Sequence, residues 1–141
     1  MKRVVLISCV SKKLPHKAKA KDLYTSTLFK LNMKYARALN PDKIFILSAK
    51  HGLLNLEQEI EPYNQALNNL KDKEIKIWAE KVLKELKKAA NLEQDEIIFL
   101  AGEKYRRYLI PHIENYKIPL KSLGIGKQLK FLKEKSNEQK L

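Results

Sequence analysis

Cysteine, glycine and long apolar runs are all scarce in this sequence, and each shortage excludes a class of protein. A chain with one cysteine forms no internal disulfide, which favours a reducing compartment. The four glycines form neither a Walker loop nor a Gly-x-Gly-x-x-Gly dinucleotide motif. No apolar run approaches the ~20 residues that a membrane span needs. We therefore expect a cytoplasmic protein that does not associate with a membrane.

Potential metal ligands are also sparse. Cys9, His16, His51 and His112 lack the spacing that zinc sites use. The sequence therefore predicts no metal ion and no other cofactor.

Acidic residues are outnumbered by basic ones. The chain contains 29 Lys and Arg but 16 Asp and Glu, which gives a formal net charge of +13. The excess lies in residues 1–50 and 101–141, whereas residues 51–100 are slightly acidic. A basic excess favours nucleic acid or nucleotides as partners, although a lysine-rich solvated surface has the same composition. No pattern in the sequence addresses the oligomeric state.

Three short apolar runs, rich in β-branched residues, indicate strands buried on both faces. They cover residues 4–7, 44–47 and 97–100. Helical spacing predicts helices over residues 22–39, 73–90 and 103–109, and a last one that starts near residue 124. Trp78 lies on the apolar face of the second helix, so we expect it in the core.

Strands that alternate with helices predict one α/β domain over residues 1–134, with three layers (α/β/α) around a mainly parallel, four-stranded sheet. The fourth strand is expected around residues 118–120. Residues 52–70 are predicted to form a loop with a short helix, which suits a lid. Residues 135–141 are expected to form a frayed tail.

Small or reactive residues follow each apolar run, where an open α/β sheet binds its ligands. We predict Cys9 as a nucleophile, Lys12 as a cation that holds a phosphate or carboxylate, and His51 as an acid or base. Each has a structural alternative. A free cysteine is commonly a small buried residue, Lys12 lies in a loop with four other lysines, and a lone histidine is often structural.

Further residues at the strand ends, at the first helix start and in the expected lid are predicted to contact the substrate. Hydroxyls in a first helical turn can bind an anion or a base edge, although they also favour the helix start itself. Glycine permits close backbone approach, and tyrosine can stack on a base. The set is Ser8, Tyr24, Ser26, Ser48, Lys50, Gly52, Tyr63, Gly102 and Tyr105.

Basic side chains form a stripe on the first helix and a cluster after residue 102, where tyrosines are interleaved. They are predicted to contact phosphates without regard to base sequence. These residues are Lys30, Lys34, Arg37, Lys104, Arg106 and Arg107.

The order and spacing of several motifs resemble the DUF6884 family across nearly the whole chain. The motifs are Ser8-Cys9, Lys12, Leu23-Tyr24-x-Ser26, Ser48-Ala49-Lys50-His51-Gly52-Leu53, Pro62-Tyr63, Gly102 and Ile125-Gly126. More weakly, the chain resembles the catalytic domain of archaeosine synthase, which carries a Pro-Cys-x-x-Lys-Pro-Tyr-x-x-Ser motif. Cys9, Lys12, Tyr24 and Ser26 match it in order, with Ser8 in place of the proline and an insertion after Lys12.

Both resemblances imply an α/β fold similar to that of uracil-DNA glycosylases, with the site at the strand ends, and the second implies an amidotransferase-like activity in RNA modification. We therefore hypothesise an enzyme that acts on a nucleobase or nucleoside in RNA or DNA. A non-catalytic nucleotide or nucleic-acid binding module and an accessory protein that binds another protein are the alternatives. Convergence of Cys9, Lys12, Ser26, His51 and Tyr105 in one pocket is what the enzyme hypothesis requires.

Overall fold

A five-stranded sheet forms the centre of the computed structural model, which describes residues 1–8 and 12–139. The strands of the described chain are Arg3–Ser8 (β1), Ala18–Lys19 (β2), Lys43–Ser48 (β3), Gly52–Asn55 (β4), Glu59–Ile60 (β5), Glu96–Leu100 (β6) and Tyr116–Lys117 (β7). The sheet order is β4-β3-β1-β6-β7. All neighbours are parallel except β4, which pairs antiparallel with β3. The predicted α/β fold with a mainly parallel sheet is confirmed.

Helices cover both faces of this sheet. They are Ala20–Leu23 (α1), Thr27–Ala38 (α2), Asp72–Ala89 (α3), Glu103–Arg106 (α4) and Ile125–Gln139 (α5), with single 3-10 turns at Leu67–Asn69 and Ile110–His112. Helix α5 continues past residue 135, where the sequence predicted a tail. Within the described ranges, no helix combines the length and the apolar character needed to cross a membrane.

The side chains of β1 alternate between two apolar clusters, because successive residues of a strand point to opposite faces. Val4 and Leu6 pack on the side of α3, where Trp78 is buried as predicted. Val5 and Ile7 pack on the side of α1, α2 and α5. The sheet is therefore the middle of three layers, and its strand ends are left to form a site.

The fifth strand, β4, corrects the prediction of four strands and of a lid over residues 52–70. Gly52 has a φ of 77°, which turns the chain back so that β4 pairs with β3. A Cβ on Gly52 would lie 2.5 Å from Oε1 of Glu85, so the turn lies tightly under α3. Further along, β5 pairs with β2. The first half of the expected lid is thus hydrogen-bonded to other strands at two places.

The predicted helix over residues 22–39 is interrupted, and the interruption places two site residues. Tyr24 is extended, forms a bridge with Lys13 and is buried. The backbone N–H of Thr25 donates to the carbonyl oxygen of Lys12 at 2.9 Å. Helix α2 then begins after Ser26, whose Oγ accepts from the N–H of Phe29. Leucine spacing continues across the break, which is why periodicity alone predicted one helix.

Candidate functional site

A cleft of about 500 Å³ lies at the carboxyl ends of β1 and β6. Ser8 and Gly102 form its floor, α2 and α4 form two walls, and the segment that leads into α5 closes a third side. Phe29, Leu100 and Leu120 contribute apolar surface. The cleft thus combines apolar walls with a few polar groups, as small-molecule sites commonly do.

Asn32 is the most informative residue of the cleft, and sequence analysis missed it. Its side chain lines the cleft, yet the residue is only 4 % exposed. Its Oδ1 has no hydrogen-bond partner in the described part of the chain. A buried acceptor without a partner costs about 1–3 kcal/mol. The sequence feature that could have identified Asn32 is its helical spacing from Phe29 and Ala36, which puts a polar amide on the apolar face of α2.

Two predicted serines stand at the floor and wall of the same cleft. The backbone N–H of Gly102 donates to Oγ of Ser8 at 3.3 Å, and Ser26 caps α2 by accepting from Phe29 at 3.1 Å. In both contacts the serine accepts, so its own O–H remains a donor for a ligand. Tyr105 also lines the cleft, and its ring meets Trp78 edge-on at 5.6 Å.

A second group of predicted residues lies beside the cleft, and we call it the Tyr63 cluster: Tyr24, Ser48, His51 and Tyr63. The Tyr63 hydroxyl is 2.7 Å from both the Tyr24 hydroxyl and Oγ of Ser48. Oγ of Ser48 also accepts from the backbone N–H of His51 at 3.0 Å. The ammonium of Lys13 lies 4.5 Å from the Tyr63 ring centroid. These contacts hold β3, the α1–α2 break and the segment after β5 together.

The surroundings of His51 in this cluster favour the neutral imidazole over the imidazolium, because they lower its pKa. Burial lowers its pKa, and the nearby ammonium groups of Lys50 and Lys81 lower it further. Lys81 also donates to the carbonyl oxygen of His51 at 3.1 Å. Nε2 of His51 is buried and has no partner among the described residues. A neutral ring with one unused nitrogen is suited to hydrogen bonding or proton transfer.

The Tyr63 cluster and the cleft are neighbours that share two aromatic contacts. The ring of Tyr24 lies 5.2 Å from Phe29, which lines the cleft. On the other side, Trp78 packs against Tyr105 and donates from Nε1 to the carbonyl oxygen of Ser48 at 2.8 Å. A ligand that moves Phe29 therefore displaces a contact of Tyr24, and one that moves Tyr105 displaces a contact of Trp78, the partner of the Ser48 carbonyl.

The five predicted catalytic and binding residues do not all line this cleft in the described part of the chain. Ser26 and Tyr105 line it, whereas His51 belongs to the Tyr63 cluster. Lys12 is exposed beside the α1–α2 break. Cys9 lies outside the described residues. Lys50 belongs to the turn between β3 and β4, and Gly52 is the first residue of β4, where its positive φ serves the backbone geometry.

Three of the five lysines between residues 12 and 21 are engaged in ion pairs. Lys17 pairs with Glu59, and Lys19 and Lys21 pair with Glu57. The ammonium of Lys12 takes part in no described salt bridge or side-chain hydrogen bond. The absence of a described acidic partner thus distinguishes Lys12 from these three neighbours. The sequence alone did not distinguish them.

The residues predicted to contact phosphates fall into three groups. Lys104 and Arg106 line the cleft, and Arg106 donates to the carbonyl oxygen of Ala101 at 2.8 Å. Arg107 is held by Glu103 and Asp72 on the surface. The remaining three lie on the exposed side of α2, away from the cleft lining; they are Lys30, Lys34 and Arg37.

A larger depression of about 920 Å³ lies at the opposite edge, near the starts of β1 and β3. It is lined by Lys2, Lys43 and Lys88 among others, and none of the predicted site residues lines it. In the described ranges, no group of three His, Cys, Asp or Glu is placed to hold a metal ion.

Comparison with known proteins yields a family but no activity. No curated protein matches the chain. Residues 4–134 match a family of unknown function, DUF6884, as the motifs at the strand ends had predicted. Because this match covers nearly the whole chain, the protein belongs to the DUF6884 family.

Proposed function

We propose that this protein binds a nucleobase or nucleoside in the cleft, with Asn32 hydrogen-bonded to the edge of the base. The observation that carries the proposal is the buried Oδ1 of Asn32, which has no partner in the described chain and belongs to a residue that lines the largely apolar cleft. A ligand with a donor at its edge removes the cost of that unpartnered acceptor.

A nucleobase fits this combination of walls and polar groups. Its two faces are apolar enough to pack against Phe29 and Leu120, and its edge carries a donor next to an acceptor. A side-chain amide offers the complementary acceptor and donor, which is how Asn reads adenine in DNA. The hydroxyls of Ser8 and Ser26 add donors near the floor. A volume of about 500 Å³ is in the range of small-molecule sites.

The binding test compares Asn32→Leu with Asn64→Leu by titration calorimetry against the common ribonucleosides. Leucine keeps the branched shape of asparagine, removes its polar atoms and is the larger side chain, so no cavity is left. Asn64 is an exposed amide outside the cleft lining and is the matched control. We expect Asn32→Leu to weaken binding by about tenfold or more and Asn64→Leu to leave it unchanged. Equal affinity of both variants, or no binding by the wild type, contradicts the proposal; the latter result favours the protein-binding alternative.

Lys12 is proposed to hold a phosphate attached to the nucleoside. Its backbone is tied to Thr25, next to the cleft residue Ser26, and its ammonium is exposed. Lys12→Ala should abolish the extra affinity for a nucleoside monophosphate over the nucleoside, because a point charge opposite the phosphate is lost. The melting temperature should stay nearly unchanged. Lys17→Ala, in the same loop, is the control. A large loss of stability in Lys12→Ala would make Lys12 a structural residue.

Modification of the bound base is a second candidate function. His51 and Lys12 do not line the cleft in this structure, so this function requires the Tyr63 cluster and the cleft to come together when a ligand binds. The lowered pKa of His51 and its unpartnered Nε2 favour it. A neutral imidazole with a buried, unused nitrogen is the form that acid–base catalysis needs near pH 7. The weaker resemblance to archaeosine synthase points in the same direction. We expect incubation with RNA or DNA, followed by digestion and mass spectrometry of nucleosides, to reveal a changed base. His51→Gln should abolish this change and retain nucleoside binding; unchanged nucleosides with the wild type leave the protein as a binding module.

A further inference from the structure

We infer that the nucleotide in the cleft belongs to a single-stranded nucleic acid, whose backbone lies along the outer face of α2 and α5. This inference rests on the proposed function and adds the partner to it. It starts from the distribution of charge between the two helical layers.

Acidic residues are scarce in the elements that build one layer: α1 contains Asp22, α2 contains none, and α5 contains Glu134 and Glu138 in its second half. Residues 23–41, which include α2, carry three basic residues and no Asp or Glu. Residues 115–133, which include β7 and most of α5, carry five lysines and no Asp or Glu. Helix α3, which covers the other face of the sheet, carries four acidic residues and six lysines. The excess positive charge is therefore concentrated on the α2–α5 side.

Helices α2 and α5 pack against each other, so their outer sides form one surface. The rings of Tyr35 and Phe131 meet edge-on at 5.8 Å between them. Lys34 is one of the exposed cations here, and six others form what we call the α2–α5 basic face: Lys30, Arg37, Lys121, Lys127, Lys130 and Lys133.

The charge of the α2–α5 basic face is not neutralised within the described part of the protein. None of its six residues takes part in a described salt bridge. Elsewhere the pattern is different: Lys19 pairs with Glu57, Lys117 with Glu96, and Arg107 with Glu103. A surface of unpaired cations attracts phosphates and releases their counterions when they bind.

The same two elements reach the cleft, which connects the charge to the binding site. Helix α2 contributes Phe29 and Asn32 to the lining, and the start of α5 contributes Ile125 and Gln128. A nucleic-acid backbone on this face can therefore place one of its bases in the cleft. A base inside a duplex is stacked and paired, so entry into the cleft favours an unpaired strand.

The test measures binding of a fluorescein-labelled 15-nucleotide single strand, as RNA and as DNA, over a range of KCl concentrations. One variant combines Lys127→Gln and Lys130→Gln on α5. The matched control combines Lys84→Gln and Lys88→Gln, two exposed lysines on α3 that take part in no described salt bridge. Both variants have the same net charge, so any difference in their affinity is due to the position of the removed charges. All four lysines are exposed, and equal melting temperatures verify that both variants fold.

We expect the α5 variant to bind about five- to tenfold more weakly and to lower the salt slope by about 1.4, since each phosphate contact on a single strand contributes about 0.7. The α3 variant should bind like the wild type. Equal losses in both variants, or a strand that binds no more tightly than a mononucleotide, overturn the inference. Tighter binding of a duplex overturns the single-strand assignment. The two proposals can fail independently. The proposed function is tested by the binding of nucleosides to wild type and Asn32→Leu, and nucleosides carry no backbone phosphate.

Discussion

Asn32 illustrates how a single residue can be unfavourable for the fold and favourable for a ligand. It lies on the buried side of α2, where neighbouring positions hold Phe29, Met33 and Ala36. An apolar residue there would pack without leaving an unpartnered acceptor. Natural proteins keep such unfavourable groups mainly at functional sites.

Replacement of Asn32 by leucine should therefore stabilise the free protein. We expect the free energy of unfolding to rise by about 1 kcal/mol, because the unpartnered acceptor is removed and the adjacent cleft leaves room for the larger leucine. Urea denaturation of the two proteins without ligand measures this. A protein destabilised by the substitution would show that the amide makes a structural contribution, which contradicts its assignment as a ligand contact.

The neutral His51 predicts a pH dependence of stability. In the folded state its pKa is lowered by burial and by Lys50 and Lys81. In the unfolded chain the pKa of a histidine is about 6.5. Above that pH both states hold a neutral ring. Below it, the unfolded state binds the proton more readily, so stability should fall as the pH decreases.

Denaturation of wild type and His51→Gln at pH 8 and at pH 5.5 isolates this effect. The wild type should lose stability relative to the variant at the lower pH. His16→Gln, at an exposed loop position, is the control and should follow the wild type. A difference between wild type and His51→Gln that stays constant with pH contradicts the prediction.

At the scale of elements, the break between α1 and α2 organises both parts of the site. The bridge between Lys13 and Tyr24 diverts the chain, so Tyr24 enters the Tyr63 cluster while Ser26 faces the cleft. An uninterrupted helix would not allow both arrangements. Ser26 consequently has two candidate roles, as the cap of α2 and as a ligand contact.

Two substitutions separate these roles. Ser26→Ala removes the acceptor for the N–H of Phe29 and should lower the free energy of unfolding by about 1 kcal/mol. Ser26→Asp retains a capping oxygen and should keep most of the stability, but its charge should weaken binding of a nucleoside monophosphate. Thermal denaturation and calorimetric titration measure the two effects. Wild-type affinity in Ser26→Asp would limit Ser26 to the capping role.

At the scale of the whole molecule, one sheet serves two apolar clusters. Strands β1, β3 and β6 contribute alternate residues to both, so loss of either helical layer exposes side chains of the same strands. This arrangement couples the stability of α3 to that of α2 and α5.

The protein should therefore unfold in one cooperative transition. The heat-capacity change should be about 1.7–2.1 kcal/mol/K for 141 residues, from about 12–15 cal/mol/K per residue. Trp78 fluorescence, which reports the α3 side, and far-ultraviolet circular dichroism should give coincident curves. Two separate transitions would mean that the layers fold as independent units.

The central strands and the sheet edge at which the cleft lies were predictable from sequence. Residues 4–7, 44–47 and 97–100 are apolar because they are buried on both faces, and burial on both faces is what a covered parallel sheet requires. The small residues that follow them indicated the edge where the cleft lies. Ser8, Ser26, Gly102 and Tyr105, which the sequence predicts as substrate contacts, all line this cleft.

The partners of charged and polar groups were decided by tertiary structure alone. Three lysines near α1 pair with glutamates on and beside β5, and the Tyr63 hydroxyl meets Tyr24 and Ser48 from two other segments. The unpartnered Oδ1 of Asn32 is likewise a property of its surroundings. Local periodicity encodes whether a residue is buried, because burial repeats with the geometry of strand or helix. Which group it meets depends on residues distant in the chain, and only the packed fold brings those together.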